Sequence, residues 1–259
     1  MDEQSPHIEQ TETDSGSRFG VLVISLGVIW FGVLEVLLRW PQVGIWVGFG
    51  VAALLTFWTS RWRTRERSRW SLPLAVALIS LTSFGTLIFS SNHAAQHLVA
   101  ILSAVTLTSF LDQAQQDLPD ELRGRLASFA MAVCLWFGWL TMLSAGTFLS
   151  LAWWWLVIGG AVLTTMVAVV FWLEAGIEVV LFRRWLPAFA WLGAEVMIVT
   201  WWLPTSVFVG SVVAATILLL FLQTCRHLWR GQWEPGRGRR YLVTGLTIIC
   251  LVLLTARWI

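Results

Sequence analysis

The chain has 259 residues, of which 57% are hydrophobic and only 12% are charged, and its mean hydropathy is +0.73. A soluble domain needs more charge than this to cover its surface, so the composition excludes an ordinary soluble protein and indicates one that crosses a membrane several times. The three cysteines, Cys134, Cys225 and Cys250, lie far apart within apolar runs, which excludes a disulfide framework and a zinc site built on paired cysteines.

The first 18 residues differ from the rest of the chain. They carry five acids, one arginine and few apolar side chains. Such a segment cannot bury enough apolar surface to fold, so we expect residues 1–18 to form a disordered acidic tail. A secretory signal peptide starts with basic residues before a short apolar core, and this segment has no such pattern. Residues 19–259 are expected to form a single helical bundle.

Nine apolar runs follow the tail. An α-helix rises about 1.5 Å per residue, so roughly 20 residues cross a hydrocarbon core about 30 Å thick. The runs cover residues 19–38, 42–60, 71–90, 94–111, 126–143, 147–172, 185–203, 205–225 and 241–258. The connectors at 40–41, 144–146 and 204 are very short and require antiparallel neighbours. The sequence therefore predicts an all-α, polytopic membrane protein with about nine transmembrane helices.

The distribution of arginines predicts the orientation of these helices. All 17 basic residues are arginines, and nine spans place all but Arg39 and Arg257 on one side of the membrane. Because positive charge is concentrated in cytoplasmic loops, we expect the arginine-rich side to be cytoplasmic, with the N-terminus inside and the C-terminus outside. Tryptophans near both ends of the runs agree with aromatic belts at headgroup depth. We therefore expect a multi-pass protein of the cytoplasmic (cell) membrane.

Two segments on that side are especially basic, RWRTRERSRW at 61–70 and GRGRR at 236–240. Basic segments next to a cytoplasmic leaflet attract anionic lipid, at about 1 kcal/mol per residue close to the surface. We expect headgroup contacts from Arg61, Arg63, Arg65, Arg67, Arg69, Arg237, Arg239 and Arg240. Topology accounts for these clusters, so nucleic acid is not an expected partner.

One acid, Glu195, lies near the middle of the run at 185–203, about 15 Å from its start. A charged carboxylate at this depth costs roughly 3 kcal/mol, which favours the protonated form unless donors are near. Its neighbours on the same helix are apolar, so we expect a partner from another helix. Polar side chains at a comparable depth are Thr164, Thr165, Thr82 and Ser83.

Two interpretations of Glu195 remain open. In one, a protonated acid is hydrogen-bonded to a neighbouring helix and holds the two helices together. In the other, the acid is a proton or cation site or binds a polar part of a substrate, because intramembrane acids often mark such sites. The packing interpretation is slightly favoured, since the acid stands alone.

Other polar residues lie near the outer ends of the runs. Glu35 lies four residues before Arg39, and this spacing favours an intrahelical ion pair. His93 and His97 are also four residues apart, a spacing that can bind a metal, and Glu35 lies in the same leaflet. The sequence offers no third ligand next to them. We therefore expect two histidines at the headgroup boundary and no metal.

The string EVVLFR, residues 178–183, resembles the EExxxR signature of the CPBP family of intramembrane proteases, which includes CAAX prenyl proteases. The resemblance implies that Glu178 activates a water molecule. Val179 stands in place of the second glutamate, and the FxxxH and HxxxN motifs have no match downstream. In the alternative interpretation, Glu174 and Glu178 lie at a helix end and face the two following arginines.

Three classes of function follow from these patterns. The favoured one is a non-enzymatic membrane component, that is, a scaffold, an accessory subunit or a lipid-contacting protein with a membrane-protein partner or a second copy. It is favoured because no catalytic constellation and no cofactor motif is evident, and it predicts that Glu195→Gln is tolerated. The alternatives are a transporter or proton-coupled carrier that needs the acid at 195, and a membrane enzyme using Glu178 or the Glu35 region.

Overall fold

A computed structural model describes residues 7–60, 71–90, 92–115, 120–177, 182–229, 231 and 235–256. Within these ranges the chain forms nine bounded α-helices: α1 (His7–Arg39), α2 (Pro41–Ser60), α3 (Ser71–Phe89), α4 (His93–Gln115), α5 (Asp120–Phe148), α6 (Trp153–Glu174), α7 (Leu186–Trp202), α8 (Val207–Trp229) and α9 (Pro235–Thr255).

Eight of these helices are long and apolar enough to cross a membrane. The remaining one, α7, has 17 residues, the lower end of the length that spans a bilayer. The protein is a polytopic bundle of membrane helices, which confirms the predicted fold class. The cytoplasmic placement of the arginine-rich side stays a prediction.

The first helix begins earlier than the sequence suggested. Helix α1 starts at His7 and is continuous to Arg39, so residues 7–18 are helical where we expected a disordered tail. Starting a helix is costly, whereas extending one adds a hydrogen bond for each residue fixed. The apolar span that begins near Phe19 therefore supplies a nucleus from which the helix extends into the polar segment.

The turn between α5 and α6 also differs from the expectation. The predicted connector at 144–146 is helical, and α5 continues to Phe148. A glycine inside a helix costs only about 1 kcal/mol, and Gly146 lies against Leu156 and Trp201, where a larger side chain would collide with both. The turn falls instead at residues 149–152, where Ser150 has a positive φ of 50°.

Two groups of helices surround two central ones. Helix α3 packs against α2, α4, α5 and α6, and α1 packs on α2 and α4 at the outside of this group. Helix α5 packs against α3, α4, α6 and α8, and α7 closes the second group by packing on α6 and α8. Helix α9 contacts α8, and only 6% of its membrane window is buried. The core therefore lies along α3 and α5.

Polar side chains tie the central helices together. The hydroxyls of Thr86 on α3 and Thr141 on α5 lie 3.2 Å apart, and the Thr86 hydroxyl also donates to the carbonyl of Phe137 at 3.0 Å. On the other side of the core, the indole N–H of Trp30 on α1 donates to the hydroxyl of Ser103 on α4 at 2.9 Å. Interhelical hydrogen bonds of this kind stabilise membrane bundles.

The Trp30–Ser103 bond is testable, because both residues are fully buried. Trp30→Phe keeps most of the apolar volume and removes the donor, so we expect a loss of about 1 kcal/mol, the usual worth of such a bond in a membrane. Thermal unfolding in detergent micelles should show a fall in Tm of roughly 2–4 °C. Ser103→Ala should give a similar shift, and the double variant should lose little more than either single one. Fully additive losses would show that the two side chains are not coupled.

Candidate functional site

Glu195 lies on the outer face of α7, near the middle of that helix. The buried residues of α7 are Phe189, Gly193, Val196, Met197 and Thr200. Each residue of an α-helix is turned about 100° from the one before, so the side chain at 195 is directed about 200° away from position 193. The side chain of Glu195 is accordingly exposed on the surface that faces lipid.

The opposite face of α7 is held tightly against α6. A Cβ added to Gly193 would lie 2.5 Å from the Thr164 hydroxyl oxygen and 2.6 Å from the carbonyl oxygen of Gly160. Small residues allow two membrane helices to approach this closely. Because this contact fixes the rotation of α7, it also determines that Glu195 points away from the bundle.

The hydrogen-bond partner of Glu195 comes from its own helix. The indole N–H of Trp191, one turn earlier, donates to Oε1 of Glu195 at 2.6 Å. Within the described part of the chain, no hydrogen bond reaches the second carboxyl oxygen. The expectation that α7 offers no partner was therefore wrong: Trp191 was taken as an apolar neighbour, and its N–H was overlooked. A carboxylate has about four acceptor positions, so one donor leaves most of them unused.

The four predicted polar partners do not meet this acid. Thr164 is fully buried at the Gly193 side of α7, and the Thr165 hydroxyl donates to the carbonyl of Ala161. Thr82 and Ser83 on α3 donate to carbonyls of their own helix. Three of these hydroxyls therefore donate within their own helices. The acid does not reach any of the four, because packing of α6 on α7 at Gly160 and Gly193 turns it outward.

Large apolar side chains surround Glu195 on the same surface. We call the exposed residues Trp191, Glu195, Ile198, Val199 and Trp202 the Glu195 face. Trp191 and Trp202 are 70% and 79% exposed. Lipid tails can cover such tryptophans, but they offer no hydrogen bond to a carboxyl group.

A buried arginine is the polar feature that the sequence analysis missed. Arg226 was counted as a loop residue, but it lies on α8 and is only 8% exposed. Its Nη1 donates to the carbonyl of Gly124 at 3.2 Å and to the Ser128 hydroxyl at 3.4 Å, both on α5. Its guanidinium carbon also lies 5.4 Å from the centre of the Phe171 ring on α6. Arg226 therefore joins three helices.

The helical period could have revealed this position. Ala214, Leu218 and Leu222 precede Arg226 at intervals of four residues, and all three are fully buried. Residues four apart lie on the same side of a helix, so Arg226 had to follow them into the interior if the helix continued. The predicted apolar run ends at residue 225 because Arg226 is basic.

Near the arginine-poor side, Glu35 pairs with a residue of α4 and not with the expected Arg39 of its own helix, α1. Nδ1 of His97 on α4 lies 2.7 Å from Oε1 of Glu35 on α1. With the carboxyl group ionised, the proton of this bond lies on Nδ1, because a carboxylate only accepts. Among the described residues Glu35 has no ion pair with Arg39, which is exposed and reaches toward the headgroup layer. Those residues include no cluster of three histidine, cysteine or acidic side chains that could hold a metal.

Several predicted residues cannot be placed. Glu178 and the five arginines of 61–70 lie outside the described residues, as does the side chain of Arg237. Arg239 and Arg240 are exposed, and they lie on the first turns of α9 rather than in a loop. Their contact with anionic headgroups stays a prediction.

Comparison with known proteins gives no further guidance to the function. No protein-family model, no curated protein and no solved structure matches the chain.

Proposed function

We propose that this protein is a non-enzymatic accessory subunit of the cytoplasmic membrane, with its arginine-rich side inside, and that it binds another membrane protein through the Glu195 face. One observation supports the proposal above all: a carboxyl group near the middle of α7 faces outward and has one donor, from its own helix. A carboxyl group facing hydrocarbon is costly, and a partner helix with a donor removes that cost.

A different protein fits this surface better than a second copy. In a symmetric pair the same surfaces meet, so each Glu195 face would have to satisfy an identical one. The hydrogen-bonding groups of this face are one carboxyl and two indole N–H groups, and the Trp191 N–H is already used by the carboxyl. Trp202 lies about 10 Å further along the helix, so in a pair related by a two-fold axis along the membrane normal its N–H is at a different depth from the Glu195 of the other copy. A partner helix that carries an amide, hydroxyl or cationic side chain supplies the missing donor.

Photo-crosslinking in native membranes tests the proposal. A benzophenone amino acid placed at Ile198, one turn from Glu195, should yield one cross-linked product of constant mass. The same group at Leu246 is the matched control, because Leu246 is also an exposed apolar residue but lies on α9. We expect no discrete product from position 246.

Substitutions at position 195 then identify which property of the side chain the partner requires. Glu195→Gln keeps an acceptor and should keep the product, whereas Glu195→Leu should lower its yield about tenfold, as expected when a hydrogen bond worth about 1.4 kcal/mol is lost. Loss with Gln as well as Leu would mean that the partner requires the carboxyl group itself, as a cationic side chain would. A product of twice the chain mass would replace the partner with a second copy, and no product from Ile198 would refute the proposal.

A further inference from the structure

A second feature on the opposite side of the bundle combines an apolar groove with a polar pair. The groove lies between α1 and α4 and has a volume of about 420 Å³, within the usual range for small-molecule sites. Its walls are mainly apolar and are formed by Ile24, Val28 and Phe31 from α1 and by Ile101, Ala104 and Val105 from α4.

The groove exists because α1 has a glycine where it meets α4, along the line of contact that we call the α1–α4 seam. Gly27 lines the groove and lies so close to Thr108 that an added Cβ would collide with its hydroxyl. The two helices meet at this point. The larger side chains of Val28 and Val105, which also line the groove, are 64% and 50% exposed. From Ile24 to Phe31 the groove follows α1 for about 10 Å along the membrane normal. This is an open, apolar groove on the surface of the membrane-spanning part of the bundle.

The Glu35–His97 pair lies at one end of the same seam. Glu35 is one turn beyond Phe31 on α1, and His97 is one turn before Ile101 on the antiparallel α4, so the pair is about 6 Å from the end of the groove. Glu35 is 21% exposed, and its second carboxyl oxygen accepts no hydrogen bond within the described residues. The second carboxyl oxygen of Glu35 is therefore an available acceptor, and it lies next to the end of the apolar groove.

We propose that the α1–α4 seam binds a phospholipid with a primary ammonium headgroup. The acyl chain lies in the groove, and the ammonium group donates to the carboxylate of Glu35. Arg39 is exposed one turn further along α1, and its long side chain reaches back to offer a guanidinium to the lipid phosphate, which lies between the acyl chain and the ammonium group. A helix of another protein does not suit this site, because the groove follows α1 for only about 10 Å, under two helical turns, and its polar pair lies at one end only.

Native mass spectrometry of the delipidated full-length protein tests the site. Dioleoylphosphatidylethanolamine and dioleoylphosphatidylcholine have the same acyl chains, but only the first has N–H donors. The wild-type protein should retain the ethanolamine lipid about tenfold better, the effect of one hydrogen bond to a charged group. Equal retention of the two lipids would overturn the role given to Glu35.

Two substitutions separate the headgroup from the chain. Glu35→Leu, which removes both acceptor oxygens, should abolish the preference between the lipids but leave chain binding intact. Val105→Trp should fill the groove and reduce binding of both lipids, and Val28→Trp on the opposite wall provides an independent second variant. Ile29→Trp is the matched control, since Ile29 is 52% exposed on α1 but does not line the groove. Wild-type binding in both groove variants, or an equal loss in Ile29→Trp, would overturn the site.

Discussion

Gly193→Val should lower the stability of the protein by about 3 kcal/mol, the upper end of the usual cost of overpacking. The added Cβ would lie 2.6 Å from the backbone carbonyl of Gly160, which cannot turn aside as a flexible side chain would. Helices α6 and α7 would have to separate along their most extensive contact. Tryptophan fluorescence during thermal unfolding in detergent should show a Tm lower by roughly 6–12 °C.

Gly50→Ala is the matched control for this experiment. Gly50 also lies inside a membrane helix, α2, but a Cβ there has nothing within 4 Å. Replacing a helical glycine by alanine at an open position reduces the entropy of the unfolded chain, so this variant should be equal to the wild type or up to about 1 kcal/mol more stable. If Gly193→Val unfolded at the same temperature as Gly50→Ala, the close approach of α6 and α7 would be wrong.

Arg226→Ala should have a comparable effect at the arginine-rich end of the bundle, with a loss of about 3 kcal/mol. The substitution removes charge-assisted hydrogen bonds to Gly124 and Ser128 on α5 and the contact with the Phe171 ring on α6. Denaturation followed by circular dichroism should show the loss. Arg226→Lys should recover only part of it, because an ammonium lacks the planar set of donors that reaches several helices.

Arg239→Ala is the control for the buried arginine. Arg239 is exposed on α9, and a surface substitution of this kind changes stability by less than about 0.5 kcal/mol. Equal stability of the Arg226 and Arg239 variants would mean that Arg226 points to solvent rather than into the bundle.

The sequence predicted that Glu195 lies near the middle of its helix, but not the direction in which its side chain points. Depth follows from counting residues along an apolar run, and α7 is close to the predicted run at 185–203. Direction follows from differences between the faces of a helix, and the residues around Glu195 are apolar on all sides. The deciding contact is between Gly160 and Gly193. Glycine pairs indicate that two helices approach, but their sequence does not specify which helices meet.

The burial of Arg226 was not predicted from the sequence. A charged residue at the end of an apolar run usually marks the membrane surface, and the predicted topology rests on that rule. It does not distinguish an arginine that reaches water from one that turns back into the bundle. The distinction depends on the acceptors of α5, about 100 positions away in sequence, because the carbonyl of Gly124 is accessible only where that residue has no side chain.

Helix α9 has a consequence for how the bundle is assembled during synthesis. It adheres to α8 through the stacked rings of His227 and Tyr241, with a hydrogen bond of 3.0 Å, and through Gly245 against Leu220. It contributes almost nothing to the interior, so the other eight helices can complete their packing before it leaves the ribosome. The insertion machinery can thus release a nearly finished bundle and add α9 afterwards as a separate step.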